Sequence, residues 1–460
     1  MDEIPPHEAF EPQPDEPGNG GRARRRFQVA VTLTVVASII VLAAIEGGGF
    51  IPRRDVVETP RPPAALLAMV DAAGALATTD DQGVSVIPYA MPGVTFQFPA
   101  WSPDGSHIAA VGASSKGGGI YVFAARAAAD PPSDPVVIYQ SADRRPFYLY
   151  WTPDSKQVTF LTTEPDGLAL RIAPADASAA AATVRAGAPM YWDFVDSGRL
   201  LVHSGASGPD GFLAEVALSG GPIAETGRSP GTFRAPAISS TGQYRAYVAA
   251  DEAFGQVVLE SRGADRTSQI SVFGPAAFSF NPDISELAFI APDHPPSGDV
   301  PLPIGPLRLV QPGNSNPTTL FPGSVVAFFW SPTGKQIAIL RLENPDNVTQ
   351  ANRGDGVALA RANIAAQGIA IGLSMRLAFV DVRTGSVSSE RVVRLSDLFI
   401  NQVLPFFDQY ARSHRFWSPD GAAIALPIVN QDGATQIVAI PADGSEARAV
   451  ARAEMAFWRP

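Results

Sequence analysis

The chain has no cysteine, which excludes disulfides and thiolate metal sites alike. Its five histidines, His7, His107, His203, His294 and His414, stand singly, with no H-x-x-x-H or comparable pair, so no histidine metal centre is expected. Charge is sparse: 17% of the residues are charged against roughly 25% in an average soluble domain. The formal net charge of −11 leaves no basic footprint for nucleic acid. What the 460 residues have in excess is turn chemistry, with proline (43) and glycine (41) both well above average usage. That is the composition many short strands require.

The stretch FPAWSPDGSHIAAV at 98–111 shows how those turns are used. Ala100 and Trp101 end an apolar run, Ser102-Pro103-Asp104-Gly105 reverses the chain, and His107-Ile108-Ala109-Ala110-Val111 begins a second strand. Pro103 presets φ, Asp104 bonds back to local amides, and Gly105 takes the left-handed conformation that closes the hairpin. The pattern returns along the chain. With the Trp101 position as marker the series is Trp101, Trp151, Phe194, Ile238, Phe280, Trp330, Trp417 and Trp458, in steps of 50, 43, 44, 42, 50, 87 and 41 residues. A period in the forties with several short strands per unit predicts a β-propeller. The acidic residues of the turns, Asp104, Asp154 and Asp420, are expected to serve local hydrogen bonding. The marker tryptophans suit the wedge between blades, where the indole N–H can reach a nearby carbonyl.

Upstream of the repeats the organisation changes. Residues 1–26 carry six acidic side chains and five prolines, then Arg22, Arg24, Arg25 and Arg26, and are expected to form a disordered tail. Residues 27–45 hold no charge; 19 residues at ~1.5 Å each span roughly 28 Å, close to a bilayer's hydrocarbon core. A cleaved signal peptide is the competing reading, but the preceding tail is long and acidic and Leu42-Ala43-Ala44 makes a poor cleavage site. The arginines before the span outnumber Arg53 and Arg54 behind it, which predicts a cytoplasmic N-terminus and an extracytoplasmic propeller. Residues 46–63 read as a semi-rigid linker.

From residue 64 the strands begin with three short runs that no marker strand precedes. They match strands two to four of a unit whose first strand would be supplied by the terminal AFWRP, closing the ring. Seven full units plus this composite predict an all-β, eight-bladed propeller of four-stranded antiparallel blades, with seven blades as the alternative, preceded by one transmembrane helix. The long step before Trp417 is explained by an insert at 344–374 between a second and a third strand.

Trp101-Ser102-Pro103-Asp104-Gly105, Trp330 to Gly334 and Trp417-Ser418-Pro419-Asp420-Gly421, each followed by a short apolar strand, resemble the repeat of extracytoplasmic TolB-type and WD-repeat-like propellers. The same blades occur in prolyl-oligopeptidase-like enzymes. The likeness runs over 66–460, fair at Trp151 and Phe280 and weak at Phe194 and Ile238. TolB has six blades, so its interaction surface is not carried over position by position. The resemblance implies a fold and a general binding role rather than a reaction.

Function is therefore expected on loops. The connection 396–413, SDLFINQVLPFFDQYARS, opens on a capping Ser396 and has helix-like apolar spacing interrupted by Pro405. Connectivity places it on the same face as the 344–374 insert, opposite the SPDG turns. Phe406, Phe407, Tyr410 and Arg412 are of the types that anchor interfaces, with Asp408, Gln409 and His414 as polar contacts. The expected role is a membrane-anchored scaffold that binds a protein, a peptide or an envelope polymer, without cofactor, metal or nucleic acid. A hydrolase or lyase with a site at the channel mouth is the alternative.

Overall fold

The turn chemistry recurs almost atom for atom. In a computed structural model that describes residues 66–460, apart from 206, 209, 227, 251–254, 264–265, 296–301, 343–373 and the side chains of 222–225, Gly105 donates to the Ser102 carbonyl at 2.8 Å. Ser102 Oγ accepts from His107 N–H at 2.9 Å and donates to Asp104 Oδ1 at 2.6 Å. Ser418, Asp420 and Gly421 repeat these bonds at 2.9, 3.0 and 2.5 Å. Gly105 (φ 68°), Gly334 (φ 65°) and Gly421 (φ 70°) all sit in the left-handed region that closes such a turn. Burial works against the Asp104 carboxylate, but hydrogen bonds from Ser102 and Ser106 outweigh it and hold its pKa down to about 2.

Each hairpin grows into an antiparallel sheet. Val94–Trp101, His107–Ser114, Gly117–Ala124 and Val136–Ser141 pair in chain order. The same order holds for the four strands from Pro146–Trp151 to Ala182–Ala186, from Met190–Asp196 to Pro222–Glu225, and from Ala237–Ile238 to Thr267–Ser271. The closing sheet is composite, as the repeat pattern predicts: Leu66–Val70, Leu76–Asp80 and Ile87–Tyr89 are joined by the C-terminal strand Met455–Trp458, in the register Leu67↔Trp458 to Val70↔Met455. The first strand of each unit lies at the inner edge of its sheet, and several pack on one another: Met455–Trp458 on Val94–Trp101, Val94–Trp101 on Pro146–Trp151, and Ala237–Ile238 on both Met190–Asp196 and Ala277–Phe280. The molecule is an all-β propeller.

Two sheets depart from the regular unit. Strand Thr318–Trp330 serves two neighbours: Thr318 and Thr319 pair with Leu309 and Arg308, whereas Ala327 to Trp330 pair with Leu340 to Ile337. The register breaks between Val325 and Ala327, so a seven-stranded sheet results where two separate ones were expected. The last sheet, Ala423–Val429, Thr435–Pro441 and Arg448–Ala451, has three strands, its inner strand reduced to the single bridge Trp417↔Ile424.

The tail, the span 27–45, the linker to residue 63 and residues 344–373 of the expected insert lie outside the described residues. Among the described residues no helix is long and apolar enough to cross a membrane.

Four of the marker tryptophans stitch neighbouring repeat units through one repeated bond, in which the indole N–H reaches the carbonyl of the residue just before the preceding marker. Trp151 donates to Ala100 at 3.0 Å, Trp330 to Ser279 at 3.2 Å, Trp417 to Phe329 at 3.0 Å, and Trp101 to Phe457 at 3.1 Å. Trp458 Nε1, by contrast, is buried without a partner.

Candidate functional site

The segment after the outer strand Val387–Arg394 was expected on the surface, and most of it is not there. Ser396 Oγ accepts Phe399 N–H at 3.3 Å and starts a helical run. A π-helical turn, Phe399–Val403, passes through a 3₁₀ turn, Leu404–Phe406, into α1, Phe407–Ser413. Pro405 has no N–H to continue an α-helical ladder, so the run changes pitch around it. The run then plugs the centre of the propeller. Phe407 packs on Phe328 and Phe329, Tyr410 on Phe98 and Tyr148, and His414 on Phe457 at 4.5 Å. These partners stand on inner strands from around the ring, so α1 lies where those strands converge.

This corrects the expected roles of the segment. Phe407, Asp408, Gln409, Tyr410 and His414 are buried, and the Arg412 side chain is 8% exposed, so none of them presents an outward contact. Phe406 does, at 42% exposure, with Tyr191 edge-on at 5.8 Å and Phe233 stacked on Tyr191 at 4.7 Å. Aromatic and arginine side chains mark an interface, but an interface inside the chain uses the same types.

The polar members of the plug meet polar groups from several sheets. Gln409 Nε2 donates to Tyr148 Oη at 2.8 Å and to the Trp192 carbonyl at 3.2 Å, and Tyr148 donates to Ser413 Oγ at 2.7 Å. Arg412 donates to the carbonyls of Pro236 and, at 3.0 Å, Phe278, and lies 3.7 Å from Asp193 Oδ2. Asp193 also accepts Ile238 N–H at 2.8 Å and Tyr150 O–H at 3.4 Å. Arg234 donates to the Pro405 carbonyl at 3.4 Å.

Burial dominates the electrostatics. It pushes Asp193 above the usual carboxylate range even though Arg412 and the Ile238 and Phe194 amides pull the other way. Asp408 is raised by the same cause, opposed by Arg234 and Arg412, and its Oδ2 has no hydrogen-bond partner. Burial lowers His414 to about 3 and His203 to about 4, so both rings are neutral. His203 Nδ1 lies 3.0 Å from the Arg234 carbonyl, which assigns the ring proton to that nitrogen.

The cluster is a set of interbonded groups sealed from solvent, with Asp408 Oδ2, Gln409 Oε1 and His414 Nε2 left without partners, and its cross-sheet bonds are chemistry suited to holding sheets together. Among the described residues no group of His, Asp and Glu is placed to hold a metal ion. A G-x-S-x-G spacing occurs once, at 227–231, but exposed Ser229 sits in a loop leading to strand Ala237–Ile238, without the strand-turn-helix context a nucleophile elbow needs. The structural motif residues keep their turn and wedge roles, with Pro103 and Pro419 exposed at the tips and Trp101, Trp151, Trp417 and Trp458 buried.

Sequence reasoning missed Asp193, Arg234, Tyr148, Tyr150 and Tyr191. One signal was present: the position before each marker holds Ala100, Tyr150, Asp193, Ala237, Ser279, Phe329, Phe416 and Phe457, and a carboxylate is the outlier.

No family model and no curated protein matches the chain. Solved structures do match. A prolyl endopeptidase aligns with TM-score 0.50 at 10% identity, over 80% of this chain and 50% of its own length, so the chain spans about half of that enzyme. Apo AztD from Citrobacter koseri aligns with TM-score 0.46 at 14% identity, over 86% of this chain and 97% of AztD. TolB from Acinetobacter baumannii aligns with TM-score 0.35 at 12% identity, over 70% of this chain and 62% of TolB. Likeness at these identities concerns the fold alone.

Proposed function

We propose that the chain is a membrane-anchored, extracytoplasmic propeller of the TolB type, with eight blades, that acts as a binding scaffold for a protein, a peptide or an envelope polymer. Blade number is supported by the succession of marker positions, each on or next to an inner strand, with Trp330 on the strand that two sheets share. The anchor rests on the uncharged span 27–45, and the orientation on the arginines that precede it. The observation that carries the binding reading is the plug. With the axis filled by the chain's own helix, recognition falls to the rim, where Phe406 stands exposed beside Tyr191 and Phe233. A hydrolase or lyase at the channel mouth would need carboxylates or histidines that a substrate can reach, whereas Asp193, Asp408, His203 and His414 are all buried.

The test is affinity capture by the full chain from solubilised membranes and from isolated envelope polymer, comparing wild type with Phe406→Asp. Loss of a captured species with an unchanged melting curve supports the rim as the site. Equal capture by the two proteins refutes it. Protease added to intact spheroplasts is expected to degrade the propeller; its protection would overturn the outward orientation.

A further inference from the structure

The tryptophan stitching is interrupted where the repeat is weakest. The marker positions Phe194, Ile238 and Phe280 are consecutive and carry no indole, so these three units donate no such bond, although Ser279 beside Phe280 accepts one from Trp330 and Trp458 also donates none. Polar contacts gather at the same three places. Asp193, the residue before Phe194, accepts the Ile238 amide of the next sheet at 2.8 Å and Tyr150 O–H of the previous one at 3.4 Å. Arg412 faces that carboxylate at 3.7 Å and donates to Pro236 O, two residues before Ile238, and to Phe278 O, two residues before Phe280. One guanidinium thus reaches all three marker positions that lack the tryptophan. Its planar fork can serve divergent acceptors, which a lysine ammonium on one stem cannot do with the same geometry.

We infer that α1 is a keystone: through Arg412 it supplies, at the three marker positions without a tryptophan, cross-unit bonding of the kind that Trp101, Trp151, Trp330 and Trp417 supply at theirs. The helix is then more than filler for a wide axis. Its Phe407 side packs on Phe328 and Phe329, next to marker Trp330, and its Arg412 bonds at the marker positions without an indole, so the plug ties the two together. Removing the guanidinium should loosen the ring locally, because the Trp151, Trp330 and Trp417 bonds remain.

Hydrogen–deuterium exchange on the full-length protein tests this. In Arg412→Gln, peptides covering 190–196, 234–249 and 276–291 are expected to exchange about tenfold faster or more than in wild type, since hydrogen bonds to a charged group are lost, while peptides covering 96–111 and 328–340 change little. Trp417→Phe should give the mirror image, with acceleration at 328–340 and none at 234–291. If Arg412→Gln does not fold, Arg412→Lys decides: it keeps a charge near Asp193 but not both carbonyl bonds, and the same three peptides should accelerate. Acceleration spread evenly around the ring, or none in a folded variant, overturns the inference.

Discussion

Lowering the pH from 7.5 to 5 should destabilise the propeller through two buried histidines. His414 is enclosed by Phe457, Tyr410 and Tyr148, with ring centroids at 4.5, 5.3 and 6.3 Å, and its Nδ1 lies 2.7 Å from Ser413 Oγ. Burial depresses it to about 3, against a weaker opposing contribution from the Phe98 backbone. His203 is depressed by burial to about 4, opposed by the Arg234 backbone. In the unfolded chain each ring takes its proton near pH 6.5, so the unfolded state binds more protons below that value. Stability present above pH 6.5 is lost as the pH falls, until the folded-state value is reached. At pH 5 each ring is about 1.5 units below its unfolded pKa, a loss of about 2 kcal/mol apiece and about 4 kcal/mol together. The buried carboxylates act with the opposite sign. Asp193 and Asp408 have raised folded-state values, so protonation favours the fold as the pH falls through them and offsets part of the histidine loss, which the comparison with a histidine variant separates. Urea unfolding followed by tryptophan fluorescence at pH 7.5, 6.5, 5.5 and 5 measures the slope. His414→Gln should weaken the pH dependence by about half even where it lowers stability at pH 7.5, because only the slope reports the lost titration. A slope in His414→Gln equal to that of wild type would refute the reasoning.

Two further predictions follow from the stitching and the turns. Trp151→Phe and Trp417→Phe each strip a buried carbonyl of its indole donor and should cost about 1–3 kcal/mol in thermal or urea unfolding. Trp458→Phe, whose Nε1 has no partner, should cost clearly less; an equal loss at all three sites would show that ring volume decides rather than the bond. At Gly421 an added Cβ meets nothing nearer than 3.7 Å, so Gly421→Ala should cost only the left-handed backbone term, about 1–2 kcal/mol. At Gly334 the same Cβ would sit 2.1 Å from Asn281 Oδ1, whose amide donates to the Gly334 carbonyl at 3.0 Å, so Gly334→Ala should be the more damaging. Equal melting temperatures for the two variants would refute the difference.

Much of the fold was legible because its causes are local and repeated. A Ser-Pro-Asp-Gly turn between two apolar runs specifies a hairpin whatever surrounds it, and its recurrence near every forty-odd residues turns one hairpin into a ring. Even the ring closure could be read, since three strands without a first and a first strand without followers can satisfy their edges only by pairing. The shared strand Thr318–Trp330 could not, because a run of 13 residues is equally consistent with two short strands until its partners on either side are known.

Residues 396–413 mark where sequence alone stops. Ser396, the apolar spacing and Pro405 were enough to specify a broken helix, because capping and the missing proline amide act within one turn. Whether that helix lay on the rim or along the axis depended on the width of the space left by the inner strands, which is a property of the closed ring and of no single unit. Only the assembled structure placed Phe407, Tyr410 and His414 against aromatic rings 43 to 312 residues away in the chain, and Arg412 beside Asp193. Local hydrogen-bonding geometry was thus determined by the sequence, while burial, and with it the charge state of the plug, was decided by the tertiary structure, because desolvation depends on everything that surrounds a group rather than on its neighbours in the chain.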